Sequence, residues 1–318
     1  MSFILKTNTA AYLLDPENED LVLKKNGKFS SVYLGYRVED KVPVVIKKLK
    51  NPEDIQTQFR FQKESIMGFN HYGVQLTLDA YKDETGYYII KEFIDGLSLR
   101  QLMQTTIVNR DMFAIKCVMK VLAILKQFHD EGVIHCDIRP DNIMVLVNKR
   151  GYPDVHDPEV RLIDFGLSKT SDADYNTQRV PFSLIYSPPE QLLNFPQLID
   201  ASSDLFSLGL TLYECVAQYP PFFNENPEMV MHLQLGKEVN EHKNIRPELL
   251  ELIRRATAKK PLRLPPSQLE LNEIEQTIHE GKHQRYQSCE EFLNALETIL
   301  PVLKTPVKSN GFFEKLFG

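Results

Sequence analysis

The chain lacks tryptophan entirely and has only four cysteines among its 318 residues. Cys117, Cys136, Cys215 and Cys289 are widely separated, and no two of them form a C-x-x-C pair. A disulfide framework or a zinc site of the usual spacing is therefore not expected. The cysteine pattern favours reduced thiols in a cytoplasmic protein.

The chain also lacks an excess of positive charge. Its 37 lysines and arginines stand against 43 aspartates and glutamates, which gives a formal net charge of −6 at pH 7. Nonspecific binding to nucleic acid or to an anionic membrane requires a basic surface, so we expect neither.

Long apolar runs are missing as well. No stretch approaches the roughly 18 uninterrupted apolar residues that a membrane span requires. The N-terminal stretch "MSFILKTNTAAYLLDPENED" has no basic segment followed by a sufficient apolar one, so it does not resemble a secretory signal. The sequence therefore predicts a cytoplasmic protein without an integral membrane segment.

The periodicity of the apolar residues changes along the chain. The N-terminal part reads mostly as strands, such as "KVPVVIKKL" and "TGYYIIKEF", interrupted by one polar helix at "PEDIQTQFRFQKESIMGF". Beyond "KEFIDGLS" long helical patterns dominate, as in "DMFAIKCVMKVLAILKQFHDEG". We therefore predict an α+β fold with a small β-rich lobe and a larger helical lobe. The predicted divisions are an N-terminal extension at 1–18, an N-lobe at 19–94, a C-lobe at 95–300 and a flexible tail at 301–318.

A cluster of polar residues lies between two apolar runs in "VIHCDIRPDNIMV", residues 133–145. Asp137 and Asn142 belong to this cluster, and Asp164 follows the next buried-strand pattern, "VRLI", with Gly166 close behind it. Asn142 and Asp164 offer the hard oxygen ligands that suit Mg²⁺, which prefers few protein ligands beside phosphate oxygens and water. Asp137 is then free to orient an attacking hydroxyl or to accept its proton.

Six features in this order resemble the protein kinases, most closely the bacterial Hanks-type Ser/Thr branch. They are "VVIK" with its lysine, a glutamate in the polar helix, "HCDIRPDN" for H-R-D-x-x-x-x-N, "DFG", "PPE" for A-P-E, and "SDLFSLGLTLYE" for a buried helix. The resemblance implies a two-lobed protein-kinase-like fold and transfer of the ATP γ-phosphoryl group to serine or threonine hydroxyls of proteins, including autophosphorylation. It implies ATP and Mg²⁺ as cofactors, with Mn²⁺ as an alternative ion. The implied partners are protein substrates, with a cognate phosphatase or an adaptor as further candidates.

The resemblance also assigns a role to each matching residue. Asp137 would orient the acceptor hydroxyl, Arg139 would contact the transferred phosphoryl group, and Lys47 would bind the nucleotide phosphates with Glu64 as its ion-pair partner. Asn142 and Asp164 would hold the metal ion. The remaining ATP-binding residues would be Gly27, Val32, Glu92 and Ile94.

A second group of matching residues is implied to organise the site. Ser183 matches a hydroxyl residue that bonds the catalytic aspartate in Ser/Thr kinases, and Thr177 lies in the implied activation segment. The residues implied to be structural are His135, Asp204 and the pair Glu190 and Arg285.

Three positions depart from the family pattern. The phosphate-covering loop "KKNGKFSSV" keeps only Gly27 of three expected glycines, which puts the close approach of its amides to phosphate in doubt. Cys136 replaces the arginine that pairs with a phosphorylated activation segment, so we expect activity to depend little on that phosphorylation. Loss of activity in a Thr170→Ala/Thr177→Ala variant would contradict this. Lys91 precedes the implied hinge, where it must either find a carboxylate or indicate a register shifted by one residue.

Two other interpretations and two insertions remain open. The chain could be a small-molecule kinase of the aminoglycoside-phosphotransferase type, or a pseudokinase scaffold that binds nucleotide without turnover. The insertion at 147–160 is expected to form an extended hairpin. The insertion at 259–284 is expected to form either an extra helix on the lobe, with Leu271, Ile274 and Ile278 at helical spacing, or an element that docks a partner.

Overall fold

A seven-stranded antiparallel sheet forms the N-terminal lobe. The computed structural model describes residues 3–14, 25–26, 30–54, 58, 61–62, 64–65, 71–170 and 182–304. The strand order is β1-β2-β4-β5-β7-β6, with β3 paired to β4. The strands are β1 Phe3–Lys6, β2 Ala11–Leu14, β3 Lys25–Asn26, β4 Ser30–Arg37, β5 Pro43–Leu49, β6 Thr77–Asp83 and β7 Gly86–Glu92.

The central strand β5 is covered on both faces. Val44 and Ile46 point to one face and join an apolar cluster with strands β1, β2 and β7. Leu49 points to the other face and packs with Ile89 and Phe61, which belongs to the polar helix. Because side chains alternate along a strand, Lys47 lies on the face of Leu49 and is directed toward that helix.

Helices make up most of the C-terminal lobe. They are α1 Leu99–Met103, α2 Arg110–Asp130, α3 Pro189–Leu192, α4 Ala201–Ala217, α5 Pro227–Gly236, α6 Pro247–Ala256, α7 Leu271–Lys282 and α8 Cys289–Lys304. Every side chain of α4 from Ser202 to Ala217 is buried, so α4 is the centre of the lobe. Helices α2, α6 and α8 pack around it in one continuous apolar core.

Short strands position the polar loop at residues 133–145. Strands β8 Gly96–Ser98, β10 Ile143–Leu146 and β11 Val160–Leu162 form one antiparallel sheet. Strands β9 Val133–Ile134 and β12 Lys169–Thr170 form a second one. The predicted α+β fold of two lobes is confirmed, and the long connection between β10 and β11 joins antiparallel strands, as expected of a hairpin.

The insertion at 259–284 packs on the helical lobe through α7. Ile274 and Ile278 are buried against Phe195, and the Lys282 ammonium bonds Asp200 at 2.8 Å. Leu271 does not share this face, because 72% of its side chain is exposed. Gly281 lies so close to the Lys260 backbone that a Cβ atom would collide with it.

The two ends of the chain extend the lobes. Strands β1 and β2 form a hairpin at the edge of the sheet, and β2 pairs with β4. Residues 301–304 of the predicted tail continue α8, and the rest of the tail lies outside the described residues.

Candidate active site

A buried lysine links the polar helix to the DFG segment. The Lys47 ammonium lies 2.6 Å from Glu64 Oε1 and 3.1 Å from Asp164 Oδ1. Burial alone would lower the pKa of Lys47, but the carboxylates of Asp164 and Glu64 outweigh it and raise that pKa. The structure thus brings together three residues that are predicted to act on the nucleotide.

Helix α4 anchors the polar loop through the Asp204 carboxylate. Asp204 accepts hydrogen bonds from the backbone N–H groups of His135 and Cys136, both at 2.8 Å. Cys136 has a φ of 63°, a conformation that non-glycine residues rarely adopt. Strain of this kind persists only where the surroundings enforce it, and the buried Asp204 carboxylate does so here.

His129 is a buried residue that no motif in the sequence singles out. Its Nε2 atom lies 2.9 Å from Asp204 Oδ2, and only 8% of its side chain is exposed. Burial would lower the pKa of His129, but its hydrogen bonds to Asp204 and Cys289 raise that pKa to about 10. His129 is therefore a cation at neutral pH, which pairs with the Asp204 carboxylate below the loop.

His135 is fully buried in the loop. Its Nδ1 atom accepts the Asp137 backbone N–H at 3.2 Å, and its ring packs on Phe165 of the DFG segment with centroids 4.4 Å apart. Burial lowers the pKa of His135, which keeps the ring neutral at physiological pH. These contacts are those of a structural residue rather than a base.

Asp137 and Asn142 are in direct contact. The Asn142 side-chain amide donates to Asp137 Oδ2 at 2.7 Å and to the Asp137 carbonyl at 2.9 Å. Burial raises the pKa of Asp137 to about 7, with Asp164 adding to the effect and Arg139 opposing it. A carboxylate with this pKa is well matched to general-base catalysis near neutral pH.

Asp164 lies beside Asn142 because their strands pair. Ile143 is opposite Leu162, and the Ile163 N–H donates to the Asn142 carbonyl at 3.0 Å. Asp164 has a φ of 67°, another strained conformation that turns the chain at the end of β11. Burial would raise the pKa of Asp164, but Lys47 and Lys91 lower it to about 2, so the carboxylate is ionised.

The oxygens of Asn142 and Asp164 fit a magnesium ion. The Asn142 amide nitrogen is engaged with Asp137, which leaves its oxygen available as a metal ligand, and 43% of the Asp164 side chain is exposed. Among the described residues no group of three or more His, Cys, Asp or Glu side chains could hold a metal by itself. Two oxygen ligands, completed by phosphate oxygens and water, match the coordination that Mg²⁺ prefers.

Arg139 belongs to a charged network beside Asp137. Its guanidinium bonds Asp141 at 2.7 Å and lies over the Tyr186 ring. Arg100 also reaches Asp141 and contacts Tyr186 and the buried Glu214. Sequence reasoning assigned a role to Arg139 alone. Asp141 lies in the same loop and Glu214 ends the "SDLFSLGLTLYE" motif, but the contacts that join them to Arg100 run between separate elements and follow from no motif.

The predicted base-binding residues lie on β4, on β7 and in the connection after β7. Val32 on β4 is directly opposite Lys47 on β5. Glu92 ends β7, and its carbonyl accepts a hydrogen bond from the Gln75 side chain at 3.0 Å. Ile94 follows in the connection to β8 and is half-buried. Gly27 lies outside the described residues, so its predicted role stays a prediction.

Lys91 forms an ion pair with the buried Glu64 carboxylate. Only 3% of its side chain is exposed, and its ammonium lies 2.7 Å from Glu64 Oε1, the oxygen that Lys47 also contacts. Val44 is opposite Glu92 and Val45 is opposite Lys91 in the sheet. Of the two alternatives for this lysine, the structure therefore shows the carboxylate partner.

The segment before α3 is joined to the site only in part. Ser183 donates its backbone N–H to Ser187 Oγ at 2.9 Å, and within the described part of the chain its hydroxyl makes no hydrogen bond to Asp137. Thr177 lies outside the described residues.

Glu190 and Arg285 form a two-pronged ion pair at 2.7 and 3.1 Å, and both side chains are fully buried.

Comparisons with known proteins identify the family of this chain. A model of the protein kinase domain matches residues 25–272. Serine/threonine-protein kinase PknB of Mycolicibacterium smegmatis is 28% identical over 272 residues, which is 80% of this chain and 42% of the relative. A probable serine/threonine-protein kinase of Clostridium perfringens is 28% identical over 264 residues, which is 81% of this chain and 34% of the relative. The chain thus spans less than half the length of these relatives, and the resemblance to bacterial Ser/Thr kinases is confirmed.

Proposed function

Since the chain belongs to the protein kinase domain family, we propose that it is an ATP-dependent serine/threonine protein kinase. The observation that carries this proposal is one connected set of contacts. Glu64, Lys47 and Asp164 form a chain of ion pairs, and Asp137 and Asn142 are hydrogen-bonded beside it. A pseudokinase that had lost turnover would be expected to lack one of these groups.

Each residue has a defined task in phosphoryl transfer. Glu64 holds the Lys47 ammonium where it can bind the nucleotide phosphates. Asp137 orients the acceptor hydroxyl and takes its proton, while Arg139 stabilises the transferring group. A magnesium ion held by Asn142 and Asp164 would neutralise charge between the β- and γ-phosphates. Catalysis of this type consists mainly of positioning and electrostatic stabilisation.

Protein hydroxyls are the proposed acceptors. The relatives that the chain matches are named as serine/threonine-protein kinases, which does not favour a small-molecule kinase. The segment of Ser183 to Glu190 packs on α4 through Tyr186 and Ser207, which supports a surface for a polypeptide. A cytoplasmic location and a phosphatase or adaptor partner are parts of the same proposal. No helix in the described part of the chain has the length and apolar character needed to cross a membrane.

Little dependence on activation-segment phosphorylation is also proposed. Cys136 is buried in a small apolar cluster with Ile134 and Ile199. An apolar thiol at this position offers no positive charge to a phosphate, so phosphorylation would gain no ion pair from it.

Label transfer from Mg²⁺-ATP tests the proposed function. Incubation with γ-labelled ATP should place label on serine or threonine of the protein itself. The Asp164→Ala variant should incorporate none, because the metal ligand and the partner of Lys47 are lost together. Label found only on an added aminoglycoside would support the small-molecule alternative, and nucleotide binding without any incorporation would support the scaffold.

The activity should fall on acidification through about pH 7. Burial raises the pKa of Asp137 to about 7, so the inactive protonated form predominates below that pH. We expect kcat/KM to drop about tenfold per pH unit below pH 6 and to level off above pH 8, since this ratio reports the free enzyme. Autophosphorylation rates from pH 5.5 to 8.5 at constant ionic strength (roughly the range over which such a base titrates) would measure it. A flat profile between pH 6 and 8 would exclude Asp137 as the titrating base.

A further inference from the structure

We infer that Lys91 is a positioning residue that holds Glu64, and with it the polar helix, against the sheet when Lys47 is engaged with nucleotide. The inference rests on the proposed function, because it assigns Lys47 to the phosphates. It concerns a lysine at a position where no catalytic role had been predicted from the sequence.

The sheet register sets the two lysines side by side. Lys47 is opposite Ile89, and Lys91 is opposite Val45, so the lysines are diagonal neighbours on adjacent strands. Paired residues point to the same face of a sheet, and diagonal neighbours are within reach of each other's long side chains. Both ammonium groups therefore lie on the face that meets the polar helix.

Glu64 satisfies both lysines with one oxygen. Glu64 Oε1 is 2.6 Å from the Lys47 ammonium and 2.7 Å from that of Lys91. The Glu64 and Lys91 side chains are 5% and 3% exposed, so water contributes little to either charge. A buried ammonium without a partner is costly, and Glu64 is the only carboxylate that the described residues place in contact with Lys91.

The charge balance differs from that of a site with one lysine. Two lysines, Lys47 and Lys91, face two carboxylates, Glu64 and Asp164, so the cluster of these four side chains has no net charge. When nucleotide phosphates attract Lys47, the Glu64 carboxylate still keeps a buried cation. With an uncharged residue at position 91, the same event would weaken the one ion pair left to Glu64 among the described residues.

Hydrogen exchange in a double-mutant cycle tests this role without requiring turnover. Lys47→Met and Lys91→Met are compared singly and together, in peptides that contain Phe61 and Glu64. Each single variant leaves Glu64 one cation, so exchange should speed up less than about threefold, whereas the double variant should speed it up about thirtyfold or more, because it leaves a buried charge unpaired. Unchanged exchange in helix α4 shows that the variants are folded. A double variant that exchanges no faster than Lys47→Met would overturn the inference.

Kinetics with conservative rescue supplies the second measurement. Lys91→Met should lower kcat about fivefold with KM for ATP changed less than about twofold, since the loss concerns positioning rather than nucleotide contact. Lys91→Arg should restore most of kcat. Lys82→Met, the same change at an exposed lysine of the same sheet, should leave both constants unchanged. If Lys91→Arg is as impaired as Lys91→Met, the charge is not what matters and the inference fails. Activity absent even from the wild type would instead refute the proposed function, while the exchange result would stand.

Discussion

Replacing Asp137 with asparagine is expected to lower kcat about a thousandfold while leaving the affinity for ATP within about threefold, because a general base contributes roughly 10²–10⁴ in rate. Asparagine preserves the size of the side chain and an oxygen that can accept the Asn142 amide, so the loop should keep its shape. It cannot take the proton of the acceptor hydroxyl. Asp137 is the group proposed to meet the acceptor hydroxyl, whereas Lys47 and Asp164 are the groups proposed to bind the nucleotide and its metal ion.

The measurement combines initial rates of label incorporation with equilibrium binding of a fluorescent ATP analogue. Asp157→Asn is the matched control, because Asp157 is an exposed aspartate that pairs only with Lys120 among the described residues. It should retain wild-type rates. If Asp137→Asn lost nucleotide affinity in step with rate, its assignment as the acceptor-side base would be wrong. A variant with more than a tenth of wild-type kcat would show that the carboxylate is not required.

Removing Arg285 is expected to have the largest effect on stability. In Arg285→Leu, Glu190 would be left in the core without its partner, and breaking a buried pair in this way costs about 3–5 kcal/mol. Ser203 donates to the same carboxylate at 2.7 Å, but a neutral hydroxyl cannot balance the charge. Arg285 also donates to the Ala258 carbonyl at 2.8 Å, so a second, partly buried acceptor would lose its donor.

Urea denaturation followed by circular dichroism measures this loss. Arg263→Leu is the control, because Arg263 also pairs with a glutamate, Glu273, but its side chain is 72% exposed. Exposed ion pairs contribute about 0–1 kcal/mol, so that variant should unfold near the wild-type urea concentration. The double variant Glu190→Gln/Arg285→Leu should recover part of the loss, since the uncompensated charge is gone. Equal stability of Arg285→Leu and Arg263→Leu would mean that the buried pair contributes nothing.

The parts of the site that the sequence predicted well are those set by local chain geometry. Asp137 and Asn142 share one loop, and Asp164 immediately follows a strand paired with the strand after that loop. Motif spacing captures such arrangements, because a turn or a strand pair fixes where the next side chain points. The alternation along β5 likewise predicts that Lys47 and Leu49 share a face.

The parts that the sequence left open depend on contacts between distant elements. Lys91 had two interpretations, because its partner Glu64 comes from a helix whose distance from the sheet no local pattern reveals. His129 reads as an ordinary polar residue near the end of a helix, yet its partner Asp204 is 75 residues further along the chain. Leu271 has the spacing of a buried residue but lies at the first turn of α7, where the lobe does not cover it.

The predicted division points of the chain and the roles of the site residues remain predictions, and Gly27 and Thr177 also lie outside the described residues. Ser183 illustrates a different limit. Its position in the motif suggested a bond from its hydroxyl to Asp137, but the structure joins its backbone to Ser187 instead. Motif position places a residue in a segment, whereas the rotamer and the path of the segment determine which atom it meets.

The contact between Gly281 and Lys260 has a consequence for how such a chain could be assembled in evolution. The two ends of the insertion at 259–284 lie next to each other on the lobe, because Gly281 contacts Lys260. The backbone could therefore connect α6 to α8 without this insertion. Residues between Lys260 and Gly281 could be inserted or deleted without changing the distance that the chain must span from α6 to α8. A descendant that deleted the insertion would need only to cover the apolar patch around Phe195 that Ile274 and Ile278 now shield.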